Sequence, residues 1–324
     1  MSGAPRDNGA LRLRLAGSLN GAFRRAILAA AVNPAVRRVV ERYGMHLGAA
    51  RFVAGETLDD ALAVLIRLDA HGFHTNTTLL GEGVEDRAAA AGAVDAYREV
   101  LDRIAAAGLR TNLALKLTHL GLGLDPALAR RNLDALLEHA AARGNFIRID
   151  MEESACVEET LAIYRRARAE GPDNVGAVLQ AYLHRTPADL EALLPLRPNL
   201  RLVKGAYREP AGVALQRKAD VDRAYLALIE RSLAGGAYTC VATHDERAID
   251  HARGFAGRAG IGRERFEFQM LYGVRPALQR RLLADGYKVL VAVPFGREWY
   301  PYLTRRLAER PANLAFFLRN AVRR

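Results

Sequence analysis

The sequence contains little cysteine, few aromatic side chains and no long apolar run. Only Cys156 and Cys240 occur in 324 residues, and their spacing fits neither a CxxC motif nor a metal site. A disulfide scaffold is therefore excluded, and a reducing compartment is favoured. No apolar run approaches the roughly 18 residues that a membrane-spanning helix needs. The short apolar stretch 26–32 lies between arginines without an evident cleavage site, so it predicts a helix and not an export signal.

Lysine is also scarce, yet the chain is strongly basic. Lys plus Arg is 47 and Asp plus Glu is 36, which gives a formal net charge of +11. This charge favours anionic partners, such as nucleic acid, acidic lipid headgroups, phosphates or carboxylates, without choosing among them. Hydrophobic residues make up 50% and charged residues 26% of the chain. These fractions are typical of a globular protein and exclude a disordered or fibrous one.

Several motifs that would assign a function directly are absent. The eight histidines form no HxxxH or HxH cluster with carboxylates on predicted strands, so we expect no metal site. There is no GxxxxGK[ST] phosphate loop, no GxSxG turn and no zinc-finger spacing. The pair Gly121 and Gly123 is only part of a GxGxxG turn and follows the second predicted strand, which argues against a dinucleotide-binding open sheet.

Short apolar runs alternate with Ala-, Leu- and Arg-rich helical stretches along most of the chain. Eight such runs predict strands at Phe73–Leu80, Thr111–Leu117, Asn145–Met151, Val175–Leu183, Leu200–Ala206, Ala237–Thr243, Phe266–Tyr272 and Tyr287–Pro294. Eight strands with crossover helices predict an α/β protein with a (β/α)8 barrel, and a doubly wound open sheet is the alternative. We expect a helical segment over residues 1–50, with Asn33-Pro34 opening a helix, and a barrel domain over residues 51–324.

Polar side chains stand late in six of these otherwise apolar runs. In a (β/α)8 barrel the carboxyl ends of the strands carry the functional groups, so these residues are candidates for a site. Each one taken alone also fits a buried ion pair or a helix cap. Arg201 and Lys204 would face opposite sides of a regular strand unless Lys204 lies beyond its end. The candidates are Lys116, Asp150, Gln180, Arg201, Lys204, Thr243, His244 and Gln269.

The last predicted helix has four polar residues on one face. Tyr302, Arg305, Arg306 and Glu309 are spaced i, i+3, i+4 and i+7. One interpretation is an exposed face with an Arg305–Glu309 ion pair. The other is a clamp of two guanidinium groups for a substrate carboxylate, because planar forked donors match a planar anion.

Taken together, these motifs resemble the proline dehydrogenase family in its compact monofunctional bacterial form. The similarity runs from Arg51 through the final helix, in the family's order. The most specific stretches are Arg201–Tyr207, Ala242–Asp245, Phe266–Gly273 and Arg305–Pro311. The resemblance implies a distorted barrel that holds FAD noncovalently, oxidises L-proline to Δ1-pyrroline-5-carboxylate and passes electrons to a quinone.

The resemblance also implies roles for individual residues. Arg305 and Arg306 would bind the proline carboxylate, with Lys116 nearby, Glu309 holding the guanidinium face and Asp150 setting the charge around the substrate. Walls of the substrate pocket would come from Ala206, Tyr207, Leu271 and Tyr302. FAD would contact Gln180, Arg201, Lys204, Gly205, Thr243, His244 and Gln269. The physical logic agrees with these roles, because a cation-rich pocket favours the neutral amine from which hydride leaves, and Arg201 would stabilise a reduced, negatively charged flavin.

One position departs from the family pattern. Where we expect a tyrosine two residues before Pro294, the chain has Ala292. An alanine removes a large wall against the substrate ring, so hydroxyproline or another cyclic secondary amine is an alternative substrate. A second alternative is a basic module that binds nucleic acid or a lipid surface, although no nucleic-acid-binding motif is present. For the enzyme we expect a cytoplasmic location, peripheral contact with the inner membrane face if the acceptor is a quinone, and no nucleic-acid partner.

Overall fold

The protein forms a closed barrel of eight parallel strands in the computed structural model, which describes residues 33–81 and 83–309. The strands follow one another around the barrel in chain order, and β1 closes against β8. They are β1 (His74–Leu79), β2 (Thr111–Leu115), β3 (Ile147–Ile149), β4 (Val175–Gln180), β5 (Asn199–Val203), β6 (Tyr238–Ala242), β7 (Phe266–Leu271) and β8 (Val289–Phe295). The predicted (β/α)8 barrel is confirmed, and the alternative of an open sheet is wrong because the sheet has no edge.

Ten α-helices surround the barrel or cover its ends within the described residues. Their bounds are α1 (Pro34–Leu47), α2 (Leu58–Ala70), α3 (Arg87–Ala106), α4 (Pro126–Ala141), α5 (Ser154–Glu170), α6 (Thr186–Leu193), α7 (Lys218–Ala234), α8 (Glu246–Arg258), α9 (Pro276–Ala284) and α10 (Trp299–Glu309). The helix predicted to begin at Asn33-Pro34 is α1. The rest of the predicted N-terminal segment, residues 1–32, lies outside the described residues, and the domain division at residue 50 stays a prediction.

Local sequence explains where several helices begin. Thr57 and Asp60 form a reciprocal capping box at the start of α2. Asp86, Asp125 and Asp245 each accept a hydrogen bond from a backbone N–H in the first turn of α3, α4 and α8. These side chains satisfy amide groups that have no partner inside the helix, which fixes the point where each strand-to-helix loop ends.

Several predicted strands are longer than the observed ones. The fourth was expected to reach Leu183, but β4 ends at Gln180, and the fifth was expected to reach Ala206, but β5 ends at Val203. Beyond these points the two segments remain hydrogen-bonded, since the Tyr182 amide donates to the Lys204 carbonyl at 3.0 Å. Lys204 therefore lies beyond its strand, which resolves the conflict of side-chain parity.

A second, smaller core lies apart from the main one and holds α10. Trp299 and Leu303 pack there with Phe52, Val53 and Val274. The indole N–H of Trp299 also donates to Glu56 at 2.8 Å. These contacts connect α10 to the segment that precedes α2 and to the residues that follow β7. The polar residues of α10 are thereby held beside the carboxyl ends of the strands.

Candidate active site

Four polar side chains from alternate strands, with Arg201 as one of them, meet inside the barrel. The Arg201 guanidinium donates to Gln269 Oε1 at 2.5 Å, to Asp150 Oδ1 at 2.7 Å and to Asn76 Oδ1 at 3.2 Å. Asn76 lies on β1, Asp150 directly follows β3, Arg201 lies on β5 and Gln269 on β7. Odd-numbered strands contribute one layer of four side chains, as expected inside such a barrel. We refer to these four residues as the upper layer.

Burial keeps the upper layer largely away from water. The Arg201 side chain is 11% exposed and that of Asp150 is 26% exposed. Burial lowers the pKa of Arg201, and the negative charge of Asp150 acts in the opposite direction. Arginine remains protonated in proteins, so the pair holds a fixed positive charge beside a carboxylate at the centre of the barrel.

The strand register places further candidates on the same inner surface. Ala292 pairs with Asn76 on one side and with Leu271 on the other. Gln180 pairs with Val203, two residues after Arg201. Registered neighbours in a sheet share a face, so Ala292, Leu271 and Gln180 line the barrel with the upper layer.

Lys116 and Gln180 are connected to neighbouring loops. The Lys116 ammonium, directly after β2, donates to the Gly81 carbonyl at 3.3 Å. Gln180 Nε2 donates to the Glu152 carbonyl at 3.2 Å. The Glu152 carboxylate in turn accepts from the Thr118 amide at 3.2 Å and from its hydroxyl at 2.6 Å. Glu152 therefore joins the loops after β2 and β3 to the end of β4.

The loop after β5 begins with two candidates for cofactor binding. The Lys204 ammonium donates to Asp222 at 2.6 Å and to Asp245 at 3.1 Å. Burial alone would raise the pKa of both carboxyl groups, but hydrogen bonds and charge, chiefly from Lys204, lower the pKa of each. Gly205 has φ of 112°, and a Cβ there would lie 2.1 Å from the Tyr182 ring. Only glycine fits this position.

The end of β6 places Thr243 and His244 beside β7. The His244 Nε2 accepts from the Leu271 amide at 2.9 Å, so this nitrogen carries no proton. The Thr243 hydroxyl accepts from the Asp245 amide at 3.1 Å, and the Thr243 amide donates to the Gln269 carbonyl at 3.1 Å. Both residues thus reach the same end of the barrel as Gln269.

The candidates on the last helix and in the loop after β5 have different surroundings. Tyr302, Arg305 and Arg306 are partly buried on α10, and the Arg306 guanidinium lies 5.3 Å from the centroid of the Tyr302 ring. Arg305 and Arg306 are therefore not a freely exposed face. In the loop after β5, Ala206 is exposed and Tyr207 is partly buried. The Glu309 side chain lies outside the described residues, and its predicted role stays a prediction.

Two functional candidates were not predicted from the sequence. Asn76 is 1% exposed and contacts Arg201, and Glu152 is 8% exposed and joins two loops to the end of β4. The available signal for Asn76 was an amide within a strand of threonines, His74–Leu79. Glu152 was visible only as one of two adjacent acidic residues after β3, without any sign of which one was buried.

The inner surface carries polar atoms that lack partners of their own. Within residues 33–81 and 83–309, the buried atoms Gln180 Oε1 and Asn76 Nδ2 make no hydrogen bond. Burying an acceptor and a donor in this way is costly unless a ligand pairs with them. The edge of a flavin presents both N–H donors and carbonyl or ring-nitrogen acceptors, so the residues present fit such a group. Three or more metal-ligating side chains are nowhere clustered in the described ranges.

The comparisons of this chain with known proteins agree on one family. The family "Proline dehydrogenase" matches residues 61–319. A proline dehydrogenase of Deinococcus radiodurans is 42% identical over 305 residues, covering 93% of this chain and 98% of the relative. Proline dehydrogenase 1 of Bacillus subtilis is 40% identical over 302 residues, covering 93% of this chain and 100% of the relative.

Solved structures agree on the architecture. Proline utilization A of Bdellovibrio bacteriovorus has a TM-score of 0.77 at 23% identity, which bears on the fold alone, and the similarity covers 90% of this chain and 36% of that chain. A mutant of Bradyrhizobium japonicum proline utilization A has a TM-score of 0.70 at 27% identity over 89% of this chain. The chain spans about a third of these longer proteins. With a family match across most of its length and two full-length relatives at 40% identity or more, the chain belongs to the proline dehydrogenase family.

Proposed function

We propose that the chain oxidises L-proline to Δ1-pyrroline-5-carboxylate with FAD held noncovalently at the carboxyl end of the barrel. Proline oxidation in proline catabolism is the activity of the family to which the chain belongs, and that family depends on flavin. The proposal adds which residues of this chain take part. The substrate of the chain is proline. The comparisons favour neither hydroxyproline or another cyclic secondary amine as the substrate nor a nucleic-acid or lipid-binding module.

The observation that carries the proposal is the upper layer together with two buried polar atoms that make no hydrogen bond, Asn76 Nδ2 and Gln180 Oε1. Arg201 is fixed from three sides by Asp150, Gln269 and Asn76. A fixed cation of this kind stabilises negative charge without reorganising during the reaction. Gln180 Oε1 supplies a buried acceptor close to the same surface. Together these groups would hold the polar edge of the flavin over the barrel.

The remaining FAD contacts would come from the loops after β5 and β6. Gly205 allows a close approach of backbone to ligand, because its conformation and the neighbouring Tyr182 ring exclude any side chain there. Lys204 would add positive charge near the cofactor's phosphates, although two aspartates share its ammonium. Thr243, His244 and Gln269 lie on the adjoining strand ends.

The substrate would lie between the barrel mouth and α10. Arg305 and Arg306 would bind the carboxylate, with the Lys116 ammonium adding positive charge from the end of β2. Leu271, Ala292 and Tyr302 would enclose the pyrrolidine ring, with Ala206 and Tyr207 from the loop after β5. In this arrangement the carbon next to the ring nitrogen would face the barrel.

The residues of the chain then control protonation and orientation. A bound flavin supplies the two-electron acceptor for the hydride that leaves proline. The cations Arg305, Arg306 and Lys116 disfavour an additional positive charge, so they favour the neutral amine whose lone pair assists hydride loss. Arg201 would stabilise the negative charge that develops on the flavin, and Asp150 would keep its guanidinium oriented.

Electrons would pass from the flavin to a quinone. Across the described ranges, no helix is both long and apolar enough to cross a bilayer. We propose a cytoplasmic enzyme that contacts the inner membrane face peripherally, where the net charge of +11 would attract anionic lipids. Nucleic acid is not expected as a partner, and that expectation stays a prediction.

An anaerobic titration of the purified chain tests the proposal. We expect a yellow protein with one FAD per chain whose visible absorbance is bleached by L-proline. L-Prolinamide is the matched control, because it keeps the ring and amine but lacks the carboxylate that Arg305 and Arg306 would bind. It should bleach the flavin much more slowly. A colourless protein that takes up no added FAD, or equal bleaching by both compounds, would contradict the proposed site.

A further inference from the structure

Below the upper layer lies a buried carboxylate to which the sequence analysis gave no role. Glu267 stands two residues before Gln269 on β7, and its side chain is 4% exposed. We propose that Glu267 is a positioning residue that fixes the Gln269 amide with its oxygen toward Arg201. The inference rests on the proposed placement of the flavin beside Arg201 and Gln269.

The two ends of the Gln269 amide have different partners. Its Nε2 donates to Glu267 Oε1 at 2.5 Å, and its Oε1 accepts from Arg201 Nε at 2.5 Å. A carboxylate only accepts hydrogen bonds and a guanidinium only donates them. If the amide rotated by half a turn, oxygen would face oxygen at Glu267, and N–H would face N–H at Arg201. Only the observed orientation satisfies both neighbours.

The second oxygen of Glu267 is held from the opposite end of the barrel. Glu267 Oε2 accepts from the Tyr238 hydroxyl at 2.9 Å and pairs with the Lys288 ammonium at 2.9 Å. Lys288 directly precedes β8 and Tyr238 begins β6, so both lie near the amino ends of the strands. A chain of hydrogen bonds therefore runs from Lys288 through Glu267 and Gln269 to Arg201.

The groups around Glu267 favour its ionised form, in which both oxygens only accept hydrogen bonds. Burial alone would raise the pKa of Glu267, but the Lys288 charge and hydrogen bonds from Gln269, Lys288 and Tyr238 lower it. On the neighbouring strand Cys240 pairs with Glu267, and its sulfur accepts from the Arg148 guanidinium, which also donates to the Asn199 side chain. His74 lies within electrostatic range, and burial with the Lys288 charge lowers its pKa, which favours the uncharged ring.

An amide in place of Glu267 would reverse this order. In E267Q the new amide must turn its oxygen to Lys288, because an ammonium has no acceptor. The NH2 group at position 267 then faces Gln269. Gln269 can accept from it only by turning its own amide oxygen toward position 267 and away from Arg201. The NH2 group of Gln269 would oppose Arg201, and the guanidinium would lose one of its three acceptors. The swap E267Q/Q269E restores complementarity, since the carboxylate at 269 accepts from both sides.

The experiment compares FAD dissociation constants, measured by titration of the apoproteins, with kcat and KM for proline and the melting temperature. We expect E267Q to weaken FAD binding and to lower kcat about tenfold each, consistent with one lost charge-assisted hydrogen bond. The swap should bind FAD more tightly than E267Q does, because the Arg201 guanidinium regains its third acceptor. The matched control Y238F removes a hydrogen bond from the other oxygen of Glu267, and its FAD binding should stay within about twofold.

A double-mutant cycle separates positioning from a simple loss of charge. In a Q269M background there is no amide to turn, so adding E267Q should change FAD binding little. Equal effects of E267Q with and without Gln269 would overturn the inference, as would a swap that behaves like E267Q. If E267Q does not fold, the swap and Q269M still decide. A parent chain without FAD or proline oxidation would overturn the proposed function instead.

Discussion

Two arginines occupy successive layers of the same barrel, and their partners differ in kind. Arg148 on β3 is 3% exposed and donates to the carbonyls of Ala177 and Asn199 at 3.0 and 2.8 Å, and also to the Asn199 side chain. Arg201 on β5 donates to three side chains. Main-chain acceptors cannot rearrange, whereas side-chain acceptors can be tuned by their own neighbours.

The difference indicates a division of labour between the layers. A Cβ at Gly176 would lie 2.3 Å from the Arg148 guanidinium, so the lower arginine leaves no room for a side chain at position 176. The upper arginine binds Asn76 Oδ1, and Gln180 lies on the same inner surface. The buried atoms Asn76 Nδ2 and Gln180 Oε1 lack partners within the described part of the chain. We infer that the lower layer stabilises the barrel and that the upper layer serves the reaction.

The largest expected effect is on turnover when the upper arginine is removed. Arg201→Met should lower kcat for proline by about 100-fold to 1000-fold, the usual effect of deleting a fixed donor that stabilises developing charge. Steady-state kinetics on FAD-saturated enzyme measures this loss. A variant that keeps more than a tenth of the parent kcat would erase the distinction between the two layers.

The lower arginine should affect stability more than chemistry. Arg148→Met removes the guanidinium that donates to two carbonyls and to the Asn199 side chain, which should cost about 3 kcal/mol of unfolding free energy. Urea unfolding followed by circular dichroism measures the loss, while kcat per bound flavin should remain within about threefold. Loss of kcat at unchanged stability would reverse the proposed roles.

A smaller effect is expected at the wall of the upper layer. Ala292→Tyr should raise the preference for L-proline over 4-hydroxyproline about tenfold, because the added ring would fill the space that a hydroxyl group needs. The measurement is the ratio of kcat/KM for the two substrates. The conservative control Ala292→Ser should leave the ratio nearly unchanged. Strong exclusion of hydroxyproline by the parent chain would show that Ala292 does not open the pocket.

The smallest effect is expected in the pH dependence of stability, where two buried carboxyl groups differ in sign. The pKa of Glu267 is lowered, because the Lys288 charge and hydrogen bonds outweigh burial, so its stabilisation is lost as the pH falls below about 4.5. The pKa of Glu152 is raised by burial despite the hydrogen bonds from Thr118, so its ionisation lowers stability as the pH rises above about 4.5.

Each contribution can be removed separately by a Glu→Gln change. Glu267→Gln should flatten the fall in unfolding free energy on the acid side. Glu152→Gln should remove a decrease on the neutral side. Chemical unfolding at a series of pH values gives both slopes. Identical slopes in the two variants would mean that burial and charge pairing do not separate these carboxyl groups.

Sequence patterns predicted much of the barrel and part of the site. All eight strands were found, because short apolar runs between helical stretches mark buried parallel strands. Gln180 and Gln269 stand late in their predicted runs, and Arg201 stands early in its run. All three lie on the inner surface of the barrel. Asn76 and Glu267 were not found, because a polar residue inside a strand gives no sign of whether it faces the barrel or what it contacts.

By itself, the sequence determined the strand–helix repeat, the caps that begin α2, α3 and α4, and the family resemblance. These depend on neighbouring residues and on motifs of a few positions. Only the tertiary structure decided that Arg201 meets Asn76, Asp150 and Gln269, since these residues are up to 125 positions from it in the chain. Closing the barrel sets the register of all strands together, and that register brings the four side chains to one level.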